Sequence, residues 1–162
     1  MRIKNILGIG TLFIFIIIST VFTTAYATSF FNQTTNEIQY NVLSPSDTIS
    51  ESQILVYNNQ VIIRIPNAQW ASYLDTGSMS PVLDSNAHGI EIVPKSIEEI
   101  HIGDIIAYEA KWNNIPVIHR IVDIKQDELG IYFVLKGDNN EKPDPIKVRF
   151  DQIRYKLVAI IY

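Results

Sequence analysis

The sequence predicts a mainly β domain of folded antiparallel sheets behind one N-terminal transmembrane helix, and three observations carry that prediction. Short Ile/Val/Tyr-rich runs recur after residue 50 with turn residues between them. Helical periodicity is weak throughout that region, and the chain opens with a long apolar run without charge.

That run extends from Ile6 to Tyr26 behind Arg2 and Lys4, and no charged residue occurs from Asn5 through Asn36. About 20 apolar residues suffice to cross a bilayer core, so residues 1–27 read as a single-pass membrane anchor. The competing reading is a cleaved leader, because Ala25-Tyr26-Ala27 has the small-x-small pattern at which leaders are cut. Under either reading the two basic residues favour a cytoplasmic N-terminus, which puts the rest of the chain on the extracytoplasmic side of the cell membrane. Residues 28–50 are rich in Thr, Ser and Asn and read as a linker. Residues 51–162 form the expected extracytoplasmic domain, long enough for one core.

Seven strands are expected there. Ile54 to Tyr57 and Val61 to Ile65 flank Asn58-Asn59-Gln60 as a hairpin, and Ile90 to Val93, Ile105 to Tyr108, Val117 to Ile124, Ile131 to Lys136 and Tyr155 to Ile161 follow. The stretch Ala68 to Leu74 reads instead as a turn or two of helix. The chain has no cysteine, which excludes thiol catalysis and Cys-based metal sites. A net charge of -4 gives no basic footprint for nucleic acid. His88, His101 and His119 are the three histidines, and no His-x3-His pair occurs, so no metal site is expected.

The chemistry-bearing residues come in a suggestive order. Ser78 in Gly77-Ser78-Met79-Ser80-Pro81 is followed by His119 in a strand-forming run, and then by the acids Asp138 and Asp144. A serine hydroxyl attacks weakly at neutral pH unless a base takes its proton, and a third group commonly holds that base in place. His119 suits the base, because a neutral imidazole can accept the serine proton and return it to a leaving amine. His88 reads as a loop residue, His101 as a surface residue, and Asp104 as the closing group of the turn before Ile105. A turn serine bonded to its own backbone and a satisfied core histidine are the bland readings of Ser78 and His119.

Four segments weigh against those bland readings. Thr76-Gly77-Ser78-Met79-Ser80-Pro81-Val82-Leu83, Gly103-Asp104-Ile105-Ile106-Ala107-Tyr108, Ile118-His119-Arg120-Ile121-Val122 and Lys136-Gly137-Asp138-Asn139-Asn140 resemble, in order, the boxes of type I signal peptidases. The histidine is similar to the archaeal and endoplasmic-reticulum branch, since bacterial members have lysine there. The resemblance covers roughly residues 70 to 145. It implies a membrane-anchored serine endopeptidase that cleaves signal peptides from translocated preproteins, without a cofactor. Ser78 would be the nucleophile, His119 the general base and Asp144 the orienting acid, with Asp138 in a supporting role. The Lys142-Pro143-Asp144-Pro145 wording departs from the family's usual one and leaves Asp138 in competition with Asp144. The backbone N–H of Ser78 and the Thr76 hydroxyl would stabilise the oxyanion. Met79, Leu74 and Val82 are expected to wall a groove for an extended substrate with small side chains near the cut. The lipid bilayer and proximity to a translocon complete the implied partners. A same-fold protease dedicated to one surface or pilin-like substrate, and a non-catalytic surface β domain, are the alternatives.

Overall fold

The computed structural model describes residues 43–111 and 113–162. The expected anchor at 1–27 lies outside the described residues, as does most of the expected linker. Among the described residues no helix is long and apolar enough to cross a membrane.

Among the described residues eight strands occur, in the order β1 (Ile54–Val56), β2 (Val61–Ile63), β3 (Gln69–Ser72), β4 (His88–Ile92), β5 (Ile105–Tyr108), β6 (Val117–Asp127), β7 (Gly130–Lys136) and β8 (Ile153–Ile161). Short 3-10 turns at Glu51–Gln53, Ile97–Glu99 and Phe150–Gln152 connect them. β1 and β2 form a separate two-stranded hairpin, and the remaining strands make one sheet in the order β3-β4-β8-β5-β6-β7. Every pairing is antiparallel. The mainly β expectation holds for the described residues, and the expected β1–β2 hairpin forms around Asn58-Asn59-Gln60, closed by Tyr57 N–H donating to the Gln60 carbonyl at 2.8 Å.

The stretch Ala68 to Leu74 is not helical. Its centre is β3, paired with β4 from Gln69↔Glu91 to Ser72↔His88. The segment has no β-branched residue to announce a strand, and what holds it is tertiary: the Trp70 ring stacks on His88 at 4.8 Å, and the Tyr73 hydroxyl donates to Glu91 Oε1 at 3.0 Å. Gly89 makes that last contact possible, because a Cβ built there would sit 1.7 Å from the Tyr73 hydroxyl oxygen. His88 therefore opens a strand, where a loop had been expected.

Side chains alternate across a strand, so β5 directs Ile106 and Tyr108 to one face of the sheet and Ile105 to the other. The first face builds the larger core with Ile100, Ile121, Phe133, Leu135, Val148 and Ile153. The second packs Ile105 and Leu157 against Met79, Leu83 and Ala87 from the loop after β3. That second core sets the serine segment down on the sheet.

The end of the expected 28–50 linker is seated on this domain. Ser46 donates from its backbone N–H and its hydroxyl to Asp104 Oδ1, each at 2.8 Å. Asp104 is fully buried and pairs with Lys156 at 2.9 Å. Burial pushes the Asp104 carboxyl up, but donors from Ser46, Lys156 and His101 outweigh it and hold the group below the usual carboxylate range. Asp104 does close the turn before β5, through the His101 N–H at 2.8 Å. It also anchors the chain's entry into the domain.

Candidate active site

Ser78 follows β3 by a short loop. Gly77 supplies a φ of 71°, a left-handed conformation that glycine adopts without strain, and the next residues turn back through Val82 N–H and Leu83 N–H onto the Met79 carbonyl at 2.9 and 3.0 Å. Met79 plugs into the second core and fixes the turn, while Ser78 beside it is half-buried and Thr76 exposed.

A second loop clamps this turn from above. After β7, Asn139 N–H donates to the Ser78 carbonyl at 2.9 Å and the Asn139 side-chain amide donates to the Gly77 carbonyl at 2.9 Å. The loop comes so close that a Cβ on Gly137 would stand 2.6 Å from the Ser78 carbonyl oxygen. Only glycine permits that approach without displacement. Asp138 N–H points at the Met79 sulfur at 3.4 Å. Its carboxylate takes a two-pronged bond from Arg120, Nε to Oδ1 at 2.8 Å and Nη2 to Oδ2 at 2.6 Å. Arg120 is 4% exposed, and its Nη1 donates to the carbonyls of Gly103 and Leu43. The Gly-Asp-Asn-Asn loop is thus tied to β6 one residue beyond His119.

His119 projects from the face of β6 that carries Ile121. It is 7% exposed. Its Nδ1 lies 2.7 Å from Asp144 Oδ2, and its Nε2 lies 3.2 Å from Ser78 Oγ. An ionised carboxylate only accepts, so Nδ1 carries the proton toward Asp144 and Nε2 is left as the acceptor facing the serine hydroxyl. Thr76 Oγ1 is 3.1 Å from Ser78 Oγ and accepts a long 3.4 Å bond from Ser78 N–H. The arrangement can move a proton from Ser78 to an imidazole that a buried carboxylate orients.

Of the residues singled out in the sequence, Ser78, His119, Asp144 and Thr76 converge. Asp138 does not reach His119; it neutralises Arg120. Leu74 is 66% exposed and Val82 half-buried, but Met79 is 3% exposed. Met79 is a core residue, packed with Leu83, Ala87, Ile105 and Leu157, and as a groove wall it is corrected: the turn after Gly77 carries it inward. Three contributors escaped sequence reasoning. Arg120 and Asn139 sit inside the quoted segments without a visible partner. Tyr108, fully buried, donates to Asp144 Oδ2 at 2.8 Å. Its hydroxyl is pushed well above the ordinary tyrosine range, by burial first and then by the Asp144 carboxylate.

Hydroxyl, imidazole and carboxylate thus stand in one hydrogen-bonded line from Ser78 to Asp144. Among known proteins the chain is similar to the human signal peptidase complex catalytic subunit SEC11C, with 26% identity over 111 residues, which is 67% of this chain and 55% of that protein. The mouse SEC11C matches to the same extent. SEC11 of Colletotrichum graminicola is 38% identical over 48 residues, 30% of this chain and 28% of that protein. The chain spans about half the length of SEC11C. No family model matches, and no solved structure matches. The similarity is distant and partial, and it supports kinship with signal peptidases at family level.

Proposed function

We propose that this chain is a membrane-anchored serine endopeptidase that removes signal peptides from translocated preproteins. The observation that carries the reading is the continuous line from Ser78 Oγ through His119 to Asp144, at 3.2 and 2.7 Å. A binding module has no need of that geometry. The similarity to signal peptidase catalytic subunits supports the choice of substrate.

In this reading Ser78 Oγ attacks the scissile carbonyl carbon while His119 Nε2 takes its proton. Asp144 stabilises the imidazolium that results. The carbonyl oxygen becomes an oxyanion, met by the Ser78 N–H and the exposed Thr76 hydroxyl. The Ser78 N–H holds only a long bond at rest, so it is available to a better acceptor. Collapse breaks the C–N bond, and His119 returns the proton to the leaving amine. Water then enters and attacks the acyl carbon while giving a proton to His119, and the bond from that carbon to Ser78 Oγ breaks as His119 returns the proton to Ser78 Oγ and the acid leaves.

Substrate binding follows from sheet order. β3 lies at an edge of the six-stranded sheet and runs into the serine turn, so an extended peptide can add beside it as a further strand. Leu74 and Val82 would flank its side chains. The apolar hairpin side chains Val56 and Val61, 75% and 60% exposed, suit a domain working at the outer face of a bilayer near a translocon. No step calls on a cofactor.

The test is to incubate the full-length chain, reconstituted in bilayers, with a preprotein bearing its signal peptide. Cleavage at one site, lost in Ser78→Ala and His119→Ala, is expected. Undiminished cleavage by the Ser78→Ala protein overturns the proposal.

A further inference from the structure

The proposed mechanism uses the imidazole side of Asp144 and leaves its other neighbour unexplained. Tyr108 ends β5, and Ile106 two residues earlier pairs with His119 on β6. Side chains two apart share a face, so Tyr108 and His119 are diagonal neighbours on the same side of the sheet. The register brings both to Asp144, whose backbone N–H is pinned to the Leu135 carbonyl at 2.8 Å. The two donors meet one oxygen: Tyr108 Oη is 2.8 Å and His119 Nδ1 is 2.7 Å from Asp144 Oδ2.

A core tyrosine commonly finds some acceptor for its hydroxyl, and a carbonyl would serve as well. Choosing the same carboxylate oxygen that holds the base has two consequences. A carboxylate rotates freely about its two-fold terminal torsion, and a second donor on Oδ2 keeps that oxygen in register with the imidazole. A hydroxyl donor also withdraws charge from the oxygen, which weakens its pull on the Nδ1 proton. The ring of Tyr108 is locked among Ile106, Ile121, Phe133, Leu135 and Val148, so the hydroxyl is held by the core itself.

We propose that Tyr108 is a positioning residue for this site: its hydroxyl fixes the orientation and the charge that Asp144 presents to His119. The proposal rests on the reading of Ser78 and His119 as nucleophile and base, and the experiment keeps the two separable.

The variant is Tyr108→Phe in the full-length chain. Peptide cleavage should show kcat lowered about tenfold, the scale of one charge-assisted hydrogen bond, with KM within about twofold. Proton NMR needs no substrate: the His119 Nδ1 proton, relieved of competition for Oδ2, should move downfield. In an Asp144→Asn background the Tyr108→Phe change should cost nothing further. An unchanged kcat with an unmoved Nδ1 proton overturns the proposal, and so does an equal loss in the Asn background, because Tyr108 would then act without Asp144. If the Phe variant fails to fold, incorporation of fluorotyrosine retains the ring and strengthens the donor. The Nδ1 proton must then move upfield, and an unmoved signal again overturns the proposal. Absence of any cleavage by the wild-type chain would count against the peptidase reading alone, since the NMR signature is read without substrate.

Discussion

Replacing Asp138 by Asn removes one charge from the buried pair that ties the Gly-Asp-Asn-Asn loop to β6. The side chains of Arg120 and Asp138 are each 5% exposed, and the carboxylate accepts two guanidinium bonds at 2.8 and 2.6 Å. Asn keeps the shape and one acceptor but leaves the guanidinium without its counter-charge. Breaking a buried pair on one side costs about 3–5 kcal/mol, and the retained acceptor puts the expectation near the lower end. For a domain of this size that lowers Tm by about 10 °C or more. Function should suffer too, because Asn139 holds the Gly77 and Ser78 carbonyls from the same loop. The assay is urea denaturation of the variant alongside its kcat on a peptide. The double change Arg120→Met with Asp138→Leu should regain part of the stability but not all, since the Leu43 and Gly103 carbonyls lose their donor. A loss below about 1 kcal/mol for Asp138→Asn would refute the reasoning, because that is how an exposed pair behaves.

Gly137→Ala should push the loop off the serine turn, the added Cβ meeting the Ser78 carbonyl at 2.6 Å and the Asn140 side-chain amide at 2.7 Å. A loss of about 1–3 kcal/mol by thermal melting, with a fall in kcat, is expected, and wild-type values would mean the clamp does not bear on Ser78. Glu91→Gln tests a buried carboxyl that burial pushes up, against an opposing hydrogen bond from Tyr73. A folded value above the unfolded one makes the ionised group a cost at neutral pH that is relieved as pH falls through the folded value. The Gln variant should therefore be more stable than wild type at pH 7 and lose that advantage toward about pH 4.3, where the unfolded group also protonates. Equal melting at pH 7 would contradict this. Thr76→Val removes the hydroxyl 3.1 Å from Ser78 Oγ. It should lower kcat about 10²-fold with KM little changed, while Thr76→Ser retains activity.

Much of the sheet was legible because its strands are written in β-branched runs. β3 was not, since a strand held by a Trp70–His88 stack and a Tyr73–Glu91 bond depends on partners that local propensity does not see. The apolar character of Met79 was visible, but whether it faces a groove or the core is decided by the turn after Gly77. The competition between Asp138 and Asp144 could not be resolved by spacing, as both lie in one loop. In space Arg120 holds Asp138, while Asp144 lies 2.7 Å from His119. Tyr108 depends on the β5–β6 register, which sets it diagonal to His119 and which no pattern within either strand encodes.

The central claim is that Ser78 becomes covalently acylated with His119 as its base. It is tested most directly by mass spectrometry of an acid-quenched reaction between the full-length chain and a signal-peptide ester. An adduct of the acyl fragment on the peptide containing Ser78, absent in Ser78→Ala and strongly reduced in His119→Ala, is the predicted result. Ester turnover that persists in Ser78→Ala, with no adduct on Ser78 in the wild type, would contradict it.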